Sequence, residues 1–325
     1  MGQQEQNNSS LISRRGIIRT SMLAGVGLAA GAVRAAETSP ARGKAFRLAH
    51  LTDMHLVPGK TRSGDGYAMA LQSLQNLSPK PDLLITGGDH VMDSLETGHE
   101  KLDPMWELYL KTFKDNTDLK HHSVIGNHDV LGWGAEESKI PKATAGYGKA
   151  LYCDKMELPK TYYSFDAGGW HFIILDNIDH GAHGGYAAAL DGEQLEWLKG
   201  DLDVCPRETP ICVLSHIPIL AVCTYFFSAY KGPGYTISPA MMQQDAHTLI
   251  TLLKGYNVKL CVSGHVHMVD RIEYLGISFI CDGAVSGNWW KGKHHEFDEG
   301  YGVFDFYGDG TFEHAYHSYG WKVAT

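Results

Sequence analysis

Ser123-Val124-Ile125-Gly126-Asn127-His128-Asp129 is the stretch on which the reading of this chain turns. Ser123 to Ile125 reads as a short buried strand, and it stops at four residues that do nothing for a core. Asn127 offers a neutral carbonyl oxygen, His128 an imidazole, and Asp129 a carboxylate able to hold that imidazole. Gly126 permits a tight turn that a Cβ would resist. Taken alone the tetrapeptide is an ordinary turn, since Gly, Asn and Asp are turn residues. Its meaning comes from four other places where an apolar run ends in the same manner.

Phe46–Leu51 reads as a strand followed by Asp53-Met54-His55, and residues 82–86 as a strand followed by Gly88-Asp89. Ile211–Leu214 leads into His216, and 258–262 into Gly264-His265-Val266-His267. Sites in α/β folds gather where strand carboxyl ends open into loops. Alternation along an extended segment puts Asp53 and His55 on one side, and likewise His265 and His267. Any one of these motifs is as well explained by a solvated loop or a turn. Five at five strand ends point to one centre. Imidazole with carboxylate suits borderline metals such as zinc, manganese, iron or nickel. No cysteine stands at any of the five points, which disfavours a thiolate structural zinc site. The count allows one metal two carboxylates and two imidazoles, and a second a shared carboxylate, the Asn127 oxygen and two more imidazoles. Two metals about 3.5–4 Å apart can activate a hydroxide and neutralise phosphoryl charge during in-line displacement.

In this order and spacing the five motifs resemble those of the calcineurin-like metallophosphoesterase superfamily, over roughly Phe46 to His267. The resemblance implies an α/β fold of two mixed β-sheets packed as a sandwich with flanking helices. It implies that Asp53, His55, Asp89 and His267 hold one metal, that Asp89 bridges, and that Asn127, His216 and His265 complete the other. His128 would then be the general acid at the leaving-group oxygen, oriented by Asp129. Purple acid phosphatases resemble this pattern too, but they carry a Tyr ligand three residues after the bridging Asp, where this chain has Met92. They also lack a His in the first motif, where this chain has His55. The Gln194-Leu195-Glu196-Trp197-Leu198 segment resembles one common in the bacterial phosphodiesterase branch. The expected activity is metal-dependent phosphodiester hydrolysis, with phosphomonoester hydrolysis or a non-catalytic metal-binding scaffold as alternatives. The scaffold has little support, because every motif ligand and His128 are present.

Around this frame, 67–77, 104–113 (capped by Asp103) and 243–253 have helical spacing, and a helix begins at Asp191. Residues 161–165 and 170–175 read as a hairpin through Ala167-Gly168-Gly169, and 301–306 and 311–316 as another through Gly308-Asp309-Gly310. Ile277–Cys281 is a further strand. Residues 131–160 read as an irregular insertion. His90, Asn177, His180, His183, Trp289 and Trp290 are weaker candidates for a substrate pocket; surface His and core Trp are the commoner roles for such residues.

The chain has 325 residues, 43% hydrophobic and 20% charged, which describes a globular body. Residues 1–36 read as a twin-arginine export signal. Arg14-Arg15 precede a mildly apolar Gly/Ala-rich run that ends in small residues at Ala35-Ala36. That run is too short and weak for a spanning helix, which needs about 20 apolar residues. The expectation is a periplasmic or secreted catalytic domain at 37–325, delivered by the twin-arginine export machinery, with no membrane span in the mature chain. Removing 1–36 takes away four arginines and one glutamate, moving the formal charge from −9 to −12. Such a surface argues against a nucleic-acid scaffold role and leaves a small phosphorylated substrate as the expected partner. The six cysteines lack zinc-module spacing and are expected to be mostly free thiols, with a pair among Cys153, Cys205 and Cys223 as the alternative.

Overall fold

The structure is a computed structural model that describes residues 46–134, 140–182, 184–227, 229–231 and 234–323. The export segment and the linker behind it lie outside the described residues.

Two mixed sheets carry the domain. The first has five strands in the spatial order Phe312–Ser318, Gly300–Phe306, Phe46–Leu51, Leu83–Thr86 and His121–Ser123. Its last three strands run parallel, and the first two join antiparallel. The second sheet has six strands: Asp270–Tyr274, Ile277–Cys281, Val258–Ser263, Ile211–Leu214, Trp170–Ile174 and Tyr163–Ala167. Its four inner strands are parallel and each edge strand is antiparallel.

Alternation explains the layering. Leu48, Ile85, Phe172, Ile174, Leu214, Val262 and Phe304 point between the sheets and pack there with Trp170 and Phe306. Their neighbours Ala49, Leu51 and Leu84 point outward onto Tyr67, Leu71, Leu74, Trp106 and Tyr109 of helices Ser63–Gln75 and His99–Asn116. Ile173, Ile211 and Val213 point outward from the second sheet onto Leu198, Leu202, Leu249 and Leu253 of helices Gly192–Val204 and Ala246–Leu253. Both faces of the inner parallel strands are therefore buried, which is why Leu83–Thr86 and Ile211–Leu214 read as continuous apolar runs, whereas the parallel edge strand His121–Ser123 is polar and partly exposed. The sandwich with flanking helices is as expected.

Several local expectations need correction. The second helix starts at His99, five residues before Pro104, and Asp103 bonds the His99 ring at 3.0 Å in place of a cap. Pro104 costs only the N–H that would meet the Glu100 carbonyl near the helix start. The ladder around Ser123 closes at that residue, although Val124 and Ile125 continue buried to opposite sides. Among the described residues of 131–160 there is one helix, Ala150–Lys155, which sends Leu151 and Tyr152 into the core. The Asp270–Tyr274 edge strand escaped the sequence reading because it has no apolar run: Arg271 and Glu273 face solvent, and the half-buried Asp270 accepts from the Val222 and Cys223 N–H groups. All six cysteines are free thiols.

Candidate metal centre

All five motifs leave the carboxyl ends of parallel strands and meet at one edge of the sandwich. Asp53, His55, Asp89, Asn127, His216 and His267 are each at most 2% exposed, and His265 is half-buried. Three groups of side chains bring ligand atoms within 4.8 Å of one another: Asp53, His55 and His267; Asp89, His216 and His265; and His55, Asp89 and His128. The first two each gather candidate ligands that the sequence reading assigned to one metal. Asp89 joins them, since its Oδ2 lies 3.2 Å from His216 Nε2 and 3.6 Å from His55 Nε2. On the other side Asp53 Oδ1 lies 3.2 Å from His267 Nε2.

The tautomers follow from the backbone. His216 Nδ1 donates to the Gly87 carbonyl at 2.8 Å, and His267 Nδ1 donates to the Gly287 carbonyl at 2.6 Å. Each Nε2 is therefore the nitrogen aimed inward, the arrangement that outer hydrogen bonds impose on metal-binding histidines. Asp53 Oδ2 accepts from the Thr52 hydroxyl at 2.7 Å and the His265 N–H at 2.9 Å, and Asp89 Oδ1 accepts from the His128 N–H at 2.8 Å. Each carboxylate thus spends one oxygen on the frame and keeps one for the centre.

What remains inside is a set of buried polar atoms with no hydrogen-bond partner: His55 Nδ1, Asn127 Oδ1 and Nδ2, and both His265 nitrogens. Buried polar groups are normally satisfied. His55 Nε2 and His267 Nε2 also face each other at 3.1 Å, which two lone pairs tolerate only with a proton or cation between them. Oxygen and imidazole donors orphaned in this way fit a pair of metal ions. Backbone strain points to the same place. Among the described residues, twelve non-glycine residues have positive φ, and seven are Asp53, His55, Asp89, His265, His267, Trp289 and Trp290. Such conformations cost about 1–3 kcal/mol each and cluster at functional sites.

Electrostatics fit a cationic occupant. Burial raises the Asp53 and Asp89 carboxyls, but the facing histidines outweigh it and hold both below the usual range. Burial pulls His55 well down and His265 down to about 3. His216 is the exception: against the effect of burial, Asp89 and Asp53 raise it to about 9.

A family model described as calcineurin-like phosphoesterase matches residues 46–269. The chain belongs to the calcineurin-like phosphoesterase family. This phosphoesterase is accordingly a metal-dependent hydrolase of phosphoester bonds. It is 24% identical over 278 residues to a 3',5'-cyclic-nucleotide phosphodiesterase of Nostoc sp., covering 81% of this chain and 89% of that protein. It is 30% identical over 175 residues to purple acid phosphatase 15 of Arabidopsis thaliana, covering 53% of this chain and only 29% of that longer protein. A dimetal phosphatase from Danio rerio superposes with a TM-score of 0.54 at 14% identity, covering 85% of this chain and 100% of that one, a likeness of fold alone.

One expected role of the phosphoesterase is corrected. Asp129 does not hold His128. Its carboxylate accepts from the backbone N–H groups of Gly126 at 2.8 Å, His90 at 2.9 Å and Asp89 at 3.0 Å, and from His90 Nδ1 at 2.9 Å. The side chain facing His128 is Asp93, whose Oδ1 lies 3.8 Å from His128 Nδ1. The reason is the turn: a short 3-10 segment, Asn127–Asp129, throws adjacent side chains to different sides. Gly126 also has another reason than the expected one. Its φ of −104° is open to any residue, but a Cβ would sit 2.2 Å from the Asp89 amide and carboxylate.

Among the weaker candidates, His90 is a core residue, bonded to Asp129, Thr86 and Ser123 and packed on Trp106 and Tyr109. Asn177 is buried and ties the Ile217 backbone to Gln243. His180 stacks edge-on against Trp133, and His183 lies outside the described residues. Trp290 donates to the Met54 carbonyl at 3.0 Å and braces the first motif from behind. Trp289 is the one that reaches the centre, its ring 4.4 Å from His267 and 5.8 Å from His55. Asp93 was missed, and its place four residues after Asp89 is the signal that was available.

Proposed function

We propose that the chain is an exported phosphodiesterase acting on small phosphodiesters, with 3',5'-cyclic nucleotides as the substrate class suggested by its similarity to the Nostoc enzyme. The observation that carries this reading is the pair of ligand groups joined through Asp89, with His128 beside them. Asp53, His55, Asp89 and His267 would hold one ion, and Asp89, Asn127, His216 and His265 the other. The nitrogen and oxygen donor set suits manganese, iron, zinc or nickel. When bound, two such ions act as Lewis acids that neutralise phosphoryl charge and make a water nucleophilic at neutral pH.

The chain's own residues supply the rest. His216 and His267 present fixed Nε2 atoms because their Nδ1 protons are committed to backbone carbonyls. His128 is half-buried on the rim, and its Nδ1 is buried, without a hydrogen bond, 3.8 Å from Asp93 Oδ1. It donates a proton to the leaving-group oxygen, and Asp93 steadies the ring. Trp289 covers the His55 and His267 side and limits water there.

Phosphomonoester hydrolysis is the second reading, favoured by the 30% identity to the Arabidopsis phosphatase. Against it, Met92 packs on the core beneath the helices and offers no phenolate. The Arg14-Arg15 segment supports export, and no helix among the described residues is long and apolar enough to cross a membrane.

The test is elemental analysis and turnover of the metal-reconstituted protein on bis(p-nitrophenyl) phosphate and p-nitrophenyl phosphate. Two ions per chain, loss of activity on chelation and faster diester turnover are expected. Faster monoester turnover overturns the diesterase reading. At most one ion, with full activity in chelator, overturns the two-metal reading.

A further inference from the structure

Val266, between the candidate ligands His265 and His267, packs in a small buried cluster with Ala221, Cys223, Met268 and Cys281. The backbone holds the two cysteines of this cluster together. Cys281 ends the strand Ile277–Cys281, and the residue opposite it in the antiparallel ladder is Asp270. Asp270 Oδ2 accepts from the Val222 N–H at 2.6 Å and the Cys223 N–H at 2.9 Å. Cys223 is therefore tied to the direct neighbour of Cys281, and the two thiols stand in hydrogen-bond contact. Cys212 and Cys261 make the contrast. They lie on adjacent strands but belong to cores on opposite faces of the sheet, where they behave as small hydrophobes.

The cysteine pair also touches the frame of the centre. The Cys281 thiol donates to the Gly264 carbonyl at 3.0 Å. Gly264 in turn donates its N–H to the His216 carbonyl at 2.9 Å. It lies so close to the first motif that a Cβ would sit 2.5 Å from Asp53 Oδ2. His265 follows it directly. A shift of the Gly264 turn is thus felt at Asp53, His216 and His265.

We propose that Cys223 and Cys281 are an oxidisable dithiol site, closed to a disulfide by a disulfide oxidant of the glutathione class, and that closure weakens the metal centre through Gly264. Cys223 reacts first, because burial and then the contact with Cys223 push the Cys281 thiol well up and make it the slower nucleophile. The Cys223 thiolate attacks one sulfur of oxidised glutathione, forming a mixed disulfide and expelling one glutathione thiolate. The Cys281 thiolate then attacks the Cys223 sulfur and expels the second. Two electrons pass to glutathione, and the protons given up by the cysteines end on the expelled thiolates. The joined sulfurs stand about 2.05 Å apart, much closer than two thiols in hydrogen-bond contact. The Cys281 side chain must therefore move, and it no longer has an S–H for Gly264. The loop closed in this way, 223–281, contains both His265 and His267. Export as proposed above would place the chain among such oxidants.

The test treats the native full chain for hours with millimolar oxidised glutathione, then denatures, alkylates and maps it by mass spectrometry. Cys223 and Cys281 should be joined, and Cys153, Cys205, Cys212 and Cys261 alkylated. Zinc affinity, read by competition with a chelating dye after glutathione is removed, should fall about tenfold, the low end of what a disturbed partner of a metal ligand costs. A phosphine reductant, removed before titration, should restore it. These readouts need no turnover, so they stand apart from the diesterase reading. Cys223→Ala should bind zinc as wild type does and be unmoved by the oxidant, with Cys223→Ser in its place where the alanine variant does not fold. A folded protein with no 223–281 linkage overturns the site, and so does a linkage to another cysteine instead. A linked protein with unchanged zinc affinity overturns the coupling through Gly264. An equal loss of zinc affinity in oxidant-treated Cys223→Ala overturns it as well.

Discussion

Asp129→Asn and Asp93→Asn separate the two roles that the sequence assigns to one residue. The Asp129 carboxylate is fully buried and accepts four bonds, three at Oδ2 (Gly126 N–H, Asp89 N–H and His90 Nδ1) and one at Oδ1 (His90 N–H). An asparagine can place its single carbonyl oxygen where Oδ2 stands and keep three of them. Its amide nitrogen then points at the His90 N–H, so one bond is lost and two donors face each other. Hydrogen bonds to a charged group are worth about 1.5–3 kcal/mol, and a buried donor left unpaired costs about 1–3 kcal/mol. The expected loss is about 3 kcal/mol. At about 2 °C per kcal/mol for a domain of this size, Tm falls by roughly 6 °C. Asp93 is partly exposed, and its bonds to Leu95 N–H and the Thr97 hydroxyl are local turn bonds that an asparagine can largely reproduce. Asp93→Asn should cost about 1 kcal/mol or less. It should slow an alkyl-leaving-group diester about tenfold, part of what a general acid contributes. Calorimetry and paired kinetics on alkyl and nitrophenyl esters read both effects. An Asp129→Asn protein with wild-type Tm and a selective loss on the alkyl ester would show that Asp129 does orient His128, and the geometric argument would fall.

His128→Ala should retain both metal ions yet lose about 10²–10⁴-fold on an alkyl-leaving-group diester, and much less on a nitrophenyl ester. Because His128 stands within ligand distance of His55 and Asp89, elemental analysis is the decisive readout, and lost metal would make it a ligand. Asp282 is buried between His50 at 2.7 Å and His314 at 2.8 Å, and these histidines outweigh burial and lower its carboxyl to about 2. A depressed carboxyl contributes stability above its unfolded value near 3.9 and loses it as pH falls through the folded value. Asp282→Asn should therefore be destabilised by about 2 kcal/mol at pH 7, with the difference from wild type shrinking between about pH 4 and pH 2 in denaturant titrations. Replacing Arg14 and Arg15 by Lys should hold the precursor in the cytoplasm, and normal processing of that variant in cell fractions would point to another route.

The division between sequence and structure follows the range of the interactions. Parallel strands buried on both faces are predominantly apolar, so Phe46–Leu51, Ile211–Leu214 and Ile277–Cys281 were legible at their true bounds. A ligand must also be one of a few residue types, and it must stand where a strand ends. Asp53, His55, Asp89, Asn127, His216, His265 and His267 could therefore be proposed as candidates from a linear text, and the fold brings them to one edge of the sandwich. Which carboxylate serves His128 was not legible, because a 3-10 turn sends neighbouring side chains to different sides and brings Asp93 across from another loop. Nor was the reason for Gly126, which lies in a through-space approach to Asp89 and leaves its own φ unremarkable. His90 shows the same limit: beside a metal ligand in sequence, it faces the opposite way, into a core of Trp106, Tyr109 and Tyr152. Local chemistry and period-two burial are written residue by residue. The partners of a polar side chain are set by which loops the two sheets bring together, and only the assembled sandwich decides that.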